Sequence, residues 1–187
     1  MKVHTTYSVV IRLVLWFILI VGGSVYALMQ DWNTPLFSSV TFHLFSGMTG
    51  FFILKLAFNA AANGGRELTK GRVGDIPRLE TNRLVTSGLY SCMRHPMLFG
   101  LTLLPLGWAL LIGSPTFITT VAPLEMLFIV VMVTVFEERE AERKFGDAYR
   151  QYRQSVPMVS FRLLCLKRLF AFKKSTIPQR SRDDIFR

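Results

Sequence analysis

The chain has 187 residues, of which 51% are hydrophobic and only 18% are charged, and its apolar residues come in blocks. That composition excludes an ordinary soluble domain and predicts an integral membrane protein of one domain with appendages. No nucleic-acid-binding motif accompanies the net charge of +10, and the basic residues flank the apolar blocks. We therefore attribute the charge to a cytoplasmic membrane face beside anionic lipids and expect no nucleic-acid partner.

Two long apolar segments, residues 8–29 and 36–62, open the chain. Each exceeds the roughly 20 residues that a helix needs to cross the hydrocarbon core. The first segment is too long for the apolar core of a signal peptide, and no clear cleavage site follows, so we expect it to be retained. Residues 1–62 are therefore predicted to form an amino-terminal pair of transmembrane helices.

Residues 63–93 are polar and basic, and they are predicted to form a cytoplasmic loop that leads into the functional site. This loop contains Cys92, and the only other cysteine of the chain is Cys165. The two lie far apart in the sequence, and no Cys/His cluster surrounds either of them. We therefore predict neither a metal site nor a disulfide.

The third and fourth apolar runs, residues 97–113 and 115–136, meet at a short turn without positive charge. Pro105 and Pro123 lie inside these runs and are expected to kink both helices. Basic residues concentrate in the amino terminus, the middle loop and the tail, whereas the two other turns carry none. The sequence thus predicts an all-α membrane protein of four spans with both termini in the cytoplasm.

The two arms of this hairpin have nearly equal lengths on either side of Ser114. At 1.5 Å per residue, His95 lies roughly 28 Å and Glu137 roughly 34 Å from the tip. The hairpin therefore brings Arg94, His95, Glu137 and Glu138 together where the apolar runs end, which predicts a site at its base. Arg94 and His95 could hold a carboxylate or phosphate at the helix start, or Arg94 could bind a lipid headgroup while His95 caps the helix.

Glu125 lies within the fourth apolar run. An acidic residue at a helix centre is penalised by roughly 2.5 to 3.5 kcal/mol on insertion scales, so Glu125 should face the bundle interior. Two roles remain open from the sequence: a neutral side chain hydrogen-bonded to a neighbouring helix, or a polar contact on the path of a lipid substrate.

Residues 94–157 are predicted to form the catalytic hairpin and a cytoplasmic helix, and residues 158–187 a basic interfacial tail. Within that tail, residues 161–174 mix apolar and basic side chains over too few positions to span a membrane. This mixture predicts a helix in the membrane interface, followed by a loose end at residues 175–187.

Two strings within residues 84–157 resemble a known enzyme family. LVTSGLYSCMRHPMLFG, residues 84–100, precedes the hairpin, and EEREAERKFGDAYRQYRQSVP, residues 137–157, follows it. Together they resemble the isoprenylcysteine carboxyl methyltransferases and their relatives among the phospholipid methyltransferases. The family pattern is RHPxYxG, a hydrophobic hairpin, then EE, with FG and two tyrosines downstream. The resemblance is specific because two separated motifs occur in the right order around a helical hairpin.

The resemblance implies a membrane core of about five helices, of which the apolar pattern accounts for four, so we expect four to five. It also implies that this core binds S-adenosylmethionine on the cytoplasmic side and releases S-adenosylhomocysteine. Arg94 and Glu138 are the predicted catalytic residues. Leu98 stands where the family pattern has tyrosine, which removes a hydroxyl and an aromatic face that Phe99 refills in part. The positions that match the family's cofactor contacts are Leu84, Val85, Tyr90, His95, Pro96, Met97, Leu98 and Glu137.

The predicted reaction is methylation of the C-terminal carboxylate of a prenylated cysteine that enters from the bilayer. That carboxylate, with a pKa near 3.5, is already ionised at neutral pH, so the protein chiefly aligns the two reactants and needs no metal. Three alternatives stay open: methylation of a phospholipid amine, an NADPH-dependent membrane reductase of similar architecture, and a non-enzymatic membrane scaffold.

Overall fold

The computed structural model describes residues 2–74 and 81–171, with the backbone alone for residues 2–9, 12 and 13. Every regular element in this part of the chain is helical, which confirms the predicted all-α class. Short 3₁₀ turns occur at Thr69–Gly71 and Gly88–Ser91, and π-helical turns at Phe117–Val121 and Val133–Glu137. The α-helices are α1 (Lys2–Asp31), α2 (Val40–Leu68), α3 (Pro96–Ile112), α4 (Ala122–Met132), α5 (Glu138–Phe145), α6 (Asp147–Ser155) and α7 (Leu163–Leu169).

Three helical segments in the described residues are long and apolar enough to cross a membrane: Val14–Asp31, Val40–Gly71 and Phe117–Phe145. They correspond to the first, second and fourth predicted spans. The helix α3 is also apolar but has only 17 residues, fewer than the roughly 20 that a span requires. Its crossing of the membrane stays a prediction.

Close contact between backbones joins α3 to α2 in an antiparallel pair. A Cβ atom at Gly50 would lie 2.7 Å from the carbonyl oxygen of Gly107, and one at Gly100 would lie 2.6 Å from that of Ala57. Only glycine permits helices to approach so closely, as in many membrane helix pairs. The first half of the hairpin is therefore held along α2 over most of its length.

The tip of the hairpin lies where the sequence predicts it. Gly113 ends α3 in the left-handed conformation, with a φ of 71°. The hydroxyl of Ser114 then accepts a hydrogen bond from the Phe117 amide at 3.1 Å and donates one to Asp31 at the end of α1. Asp31 also accepts from the amide of Thr116 at 3.0 Å and from its hydroxyl. This buried carboxylate fastens α1 to the start of the second arm, where the helix dipole favours negative charge.

The second arm is helical throughout residues 115–145, but two π-helical turns interrupt its α-helical geometry. The first turn ends just before Pro123, whose missing N–H cannot continue the hydrogen-bond ladder. The second, Val133–Glu137, ends at the first of the paired glutamates. Since a π turn holds one extra residue, it rotates the side chains that follow it relative to those before it, and such turns are frequent at functional sites.

The prediction that the two cysteines stay unpaired is wrong, because Cys92 and Cys165 form a disulfide. Their Cα atoms lie 6.0 Å apart, within the normal range for a disulfide. They meet because α7 folds back onto the turn Gly88–Ser91, where Met93 and Leu169 are fully buried in one apolar cluster. The two cysteines are 73 residues apart in the sequence, so no local sequence pattern predicts their contact.

The helix α7 has the amphipathic character predicted for the interfacial segment, within the residues up to 171 that the structure describes. Its first turn exposes Leu163 and Leu164, and its last turn carries Lys167 and Arg168. Its position in a membrane interface stays a prediction, and the predicted loose end, residues 175–187, lies outside the described residues.

Candidate active site

The four charged or titratable residues predicted to converge at the base of the hairpin do so. The Nη2 atom of Arg94 lies 2.6 Å from Oε1 of Glu138, and Nε2 of His95 lies 3.3 Å from the same oxygen. The Nδ1 atom of His95 is 4.0 Å from Oε2 of Glu137. The equal arm lengths of the hairpin therefore predicted this meeting correctly.

The two neighbouring glutamates have opposite environments. Only 5% of the Glu138 side chain is exposed, whereas 48% of the Glu137 side chain is exposed. Neighbouring residues of a helix point in directions about 100° apart, so Glu138 at the start of α5 is turned inward while Glu137 just before it stays accessible. Glu137 can thus meet a ligand that arrives from water, while Glu138 belongs to the interior.

The guanidinium of Arg94 binds several groups at once. Besides its two hydrogen bonds to Glu138, it donates to the carbonyl oxygens of Arg153 at 2.9 Å and Val156 at 2.8 Å. The amide of Arg94 also donates to the carbonyl of Pro157 at 2.9 Å. The planar guanidinium of Arg94 therefore holds the end of α6 against the start of α3. The catalytic role of Arg94 and Glu138 stays a prediction, and the geometry favours a positioning role.

His95 immediately precedes α3, and Pro96 is the first residue of the helix, as its missing N–H permits. The His95 side chain makes no capping hydrogen bond, so the interpretation of His95 as a mere cap is wrong. Burial lowers the pKa of His95, and the carboxylate of Glu138 opposes that shift in part. The imidazole is therefore neutral at pH 7, held beside a buried carboxylate.

Tyr90 lies in the turn that leads into the site and is almost fully buried. Burial raises the pKa of its hydroxyl, and the carboxylates of Glu137 and Glu67 raise it further. Both glutamates therefore lie near Tyr90. Glu67, from the end of α2, forms an ion pair with Lys70 at 2.7 Å. Sequence reasoning missed Glu67, since it lies in a polar run without a motif.

The apolar residues predicted to contact the cofactor lie in two different environments. Leu84 packs against Tyr149 and Tyr152 of α6, which lie beside the charged cluster. Val85 lies beside Gly71 in the 3₁₀ turn that follows α2.

The predicted cofactor contacts that follow His95 in the chain lie deeper in the helical bundle. Pro96 is fully buried, and Met97 lies against Gly64 of α2. Leu98 packs with Ile129 and Val133 in an apolar cluster. That apolar environment accommodates leucine where the family pattern has tyrosine.

Three residues of α6 belong to the site although the sequence reasoning assigned them no role. Tyr149 and Tyr152 are buried on one face of the helix, and the Nε atom of Arg153 lies 3.5 Å from Oε2 of Glu138. Tyr152 donates a hydrogen bond to the carbonyl oxygen of Tyr90 at 2.5 Å. Both tyrosines occur in the family pattern, which was the available signal.

Glu125 faces the interior of the helical bundle, as predicted, and only 5% of it is exposed. Its carboxyl lies against α1: a Cβ atom at Gly23 would be 3.2 Å from Oε1. Neither oxygen has a hydrogen-bond partner among the described residues. The interpretation of a Glu125 hydrogen-bonded to a neighbouring helix is therefore wrong.

The fold and the site define a helical membrane protein whose charged cluster lies at the base of a hairpin. A sequence model described as phospholipid methyltransferase matches residues 43–148, which is more than half of the chain. The chain therefore belongs to the phospholipid methyltransferase family.

Two curated relatives carry the same enzyme name. The protein-S-isoprenylcysteine O-methyltransferase of Schizosaccharomyces pombe (strain 972 / ATCC 24843) is 35% identical over 86 residues, which cover 43% of this chain and 34% of that protein. Protein-S-isoprenylcysteine O-methyltransferase B of Arabidopsis thaliana is 31% identical over 98 residues, which cover 52% of this chain and 48% of that protein. The matched regions thus span a third to a half of the length of these relatives.

Proposed function

We propose that the protein transfers a methyl group from S-adenosylmethionine to the C-terminal carboxylate of a prenylated cysteine. The observation that carries the proposal is the pair of glutamates at the base of the hairpin, one buried against Arg94 and one accessible. Both curated relatives named above are protein-S-isoprenylcysteine O-methyltransferases, which supports this choice of acceptor.

The donor set at the site fits this cofactor. Its sulfonium and amino groups are cationic, and the carboxylates of Glu137 and Glu67 lie near Tyr90. Its carboxylate would find hydrogen-bond donors around Arg94 and Tyr149. When bound, the cofactor supplies the activated methyl group. The protein aligns it with the acceptor and excludes water.

The roles of the individual side chains follow from their burial. Glu137 would hold the cationic end of the cofactor. The buried pair of Arg94 and Glu138 would fix His95 and the start of α5 in place. An acceptor carboxylate is ionised at neutral pH and needs no base. The acceptor's prenyl chain would remain in the bilayer beside the apolar helices.

A second candidate acceptor is a phospholipid amine, which reacts only in its unprotonated form. The neutral imidazole of His95, 3.3 Å from Glu138, is a group that could take the proton. Assays with labelled S-adenosylmethionine, N-acetyl-S-farnesylcysteine and phosphatidylethanolamine vesicles would separate the two acceptors. We expect label in the farnesylcysteine ester; label in the phospholipid alone would favour the amine.

Calorimetry on the purified full-length protein tests the enzyme class itself. We expect S-adenosylhomocysteine to bind and NADPH to give no heat. Binding of NADPH alone would indicate a membrane reductase. Absence of binding by both ligands would indicate a scaffold.

We also propose that the site and both termini face the cytoplasm, because the basic residues concentrate on that side. Single cysteines at the exposed positions Asn33, Lys70 and Arg150 would be labelled in a background with Cys92→Ser and Cys165→Ser. Asn33 should react from outside the cell, and Lys70 and Arg150 only after permeabilisation. Retained S-adenosylhomocysteine binding would verify folding of the background variant. Labelling of positions 70 and 150 from opposite sides would contradict this topology.

Glu125 is proposed to contact the lipid acceptor between α1 and α4. Glu125→Leu should raise the acceptor KM by about two- to tenfold, the range expected for one lost hydrogen bond, while S-adenosylhomocysteine affinity stays unchanged. Glu125→Gln keeps the shape and the hydrogen-bonding capacity, so its KM should stay close to that of the wild type. A Gln variant that fails to fold, or a Leu variant with wild-type KM, would instead assign Glu125 a structural role.

A further inference from the structure

The helix α6 offers a natural comparison between two buried tyrosines. Tyr149 and Tyr152 are 3% and 7% exposed, and their rings pack edge to face with centroids 6.1 Å apart. The hydroxyl of Tyr152 donates to the carbonyl oxygen of Tyr90. The hydroxyl of Tyr149 is buried and finds no acceptor among the described residues. The two side chains thus share burial and differ in whether the hydroxyl is used.

A buried O–H donor without an acceptor is unfavourable, because the desolvation of that donor is not offset by a hydrogen bond. Phenylalanine would fill the same space at position 149 without that penalty. Tyr149 lies beside Arg94 and Glu138, at the charged cluster of the site and not in a remote part of the core. The unused donor therefore points to a ligand.

The groups around Tyr149 define the chemistry of that ligand. Burial and the Glu138 carboxylate raise the pKa of the Tyr149 hydroxyl, although the charges of Arg94 and Arg153, and a hydrogen bond from Arg94 to the hydroxyl oxygen, oppose this shift. The hydroxyl is therefore protonated at neutral pH and can donate. Glu138 is already engaged, with Oε1 bound by Arg94 and Oε2 facing Arg153 at 3.5 Å.

Hydrogen-bond donors near Glu138 remain available for a ligand, although the Glu138 carboxylate itself is occupied. About half of the Arg153 side chain is exposed, and its other carboxylate partner, Glu142, lies 3.8 Å from Nη1. The Tyr149 hydroxyl and the Arg153 guanidinium are therefore both hydrogen-bond donors in the neighbourhood of Glu138. Such a set complements an oxyanion, since hydrogen bonds to charged acceptors are shorter and stronger than those between neutral groups.

We propose that Tyr149 donates a hydrogen bond to the carboxylate of a bound ligand, beside the guanidinium groups of Arg94 and Arg153. This inference rests on the proposed function, which provides two such carboxylates. One is at the amino-acid end of the cofactor, and the other is that of the acceptor cysteine.

The variant Tyr149→Phe tests the inference on the full-length protein. In the absence of ligand its melting temperature should be close to that of the wild type, because the buried O–H donor that is removed has no acceptor. If the carboxylate is the cofactor's, affinity for S-adenosylhomocysteine should fall at least about tenfold. Affinity for decarboxylated S-adenosylhomocysteine should then be unchanged. Tyr152→Phe is the matched control, and it should melt at a lower temperature because it loses the hydrogen bond to Tyr90.

If the carboxylate is the acceptor's, Tyr149→Phe should bind S-adenosylhomocysteine normally. The KM for N-acetyl-S-farnesylcysteine should then rise at least about tenfold, with little change in kcat. Wild-type affinity together with wild-type KM would overturn the inference, and so would equal losses of affinity for the intact and decarboxylated ligands. If the wild-type protein binds no S-adenosylhomocysteine, the proposed function is contradicted, and this inference, which rests on it, is contradicted as well.

Discussion

Glu138→Ala is expected to lower the free energy of unfolding by about 3 to 5 kcal/mol, the usual effect of removing one partner from a buried ion pair. The Arg94 guanidinium, with only 10% of its side chain exposed, would lose its counter-ion without gaining access to water. The imidazole of His95 would lose the same partner. Thermal and denaturant unfolding of the purified protein in detergent would measure the loss.

A double variant distinguishes the effect of leaving one buried charge unpaired from the effect of removing both charges while the space stays filled. Arg94→Met with Glu138→Leu replaces both charges by apolar groups, and such replacements are often close to neutral in stability. The double variant should therefore be more stable than Glu138→Ala. A single variant as stable as the wild type would show that the pair contributes little to the fold.

Glu137→Ala, one residue away, is expected to leave the melting temperature unchanged and to weaken S-adenosylhomocysteine binding by more than tenfold. The reason is that its side chain is half exposed and would bind a cationic group of the ligand. A hydrogen bond to a charged group contributes about 1.5 to 3 kcal/mol. His95→Ala should act in the same direction, and calorimetry on both variants is the measurement.

The two glutamates are controls for each other. Glu138→Ala should change stability most, and Glu137→Ala should change affinity most. Unchanged S-adenosylhomocysteine affinity in well-folded Glu137→Ala and His95→Ala variants would remove these residues from the cofactor site.

The membrane class, the helical hairpin and the meeting of Arg94 and His95 with the paired glutamates were predictable from the chain alone. The hydrocarbon core demands long apolar helices, so apolar blocks in the sequence mark them directly. The rise per residue of a helix is constant, so the distance of each charged group from the tip at Ser114 could be calculated before the fold was known.

Only the tertiary structure distinguished the roles of neighbouring residues. Glu137 and Glu138 look alike in the sequence, and the apolar pattern does not show which of the two carboxylates is buried. The pairing of Cys92 with Cys165 depends on α7 folding back onto a distant turn. The unused hydroxyl of Tyr149 likewise becomes visible only when α6 packs against Arg94. The sequence by itself determined which segments are helical and apolar, because those properties are local, whereas side-chain burial and partnership arise from contacts between segments far apart in the chain.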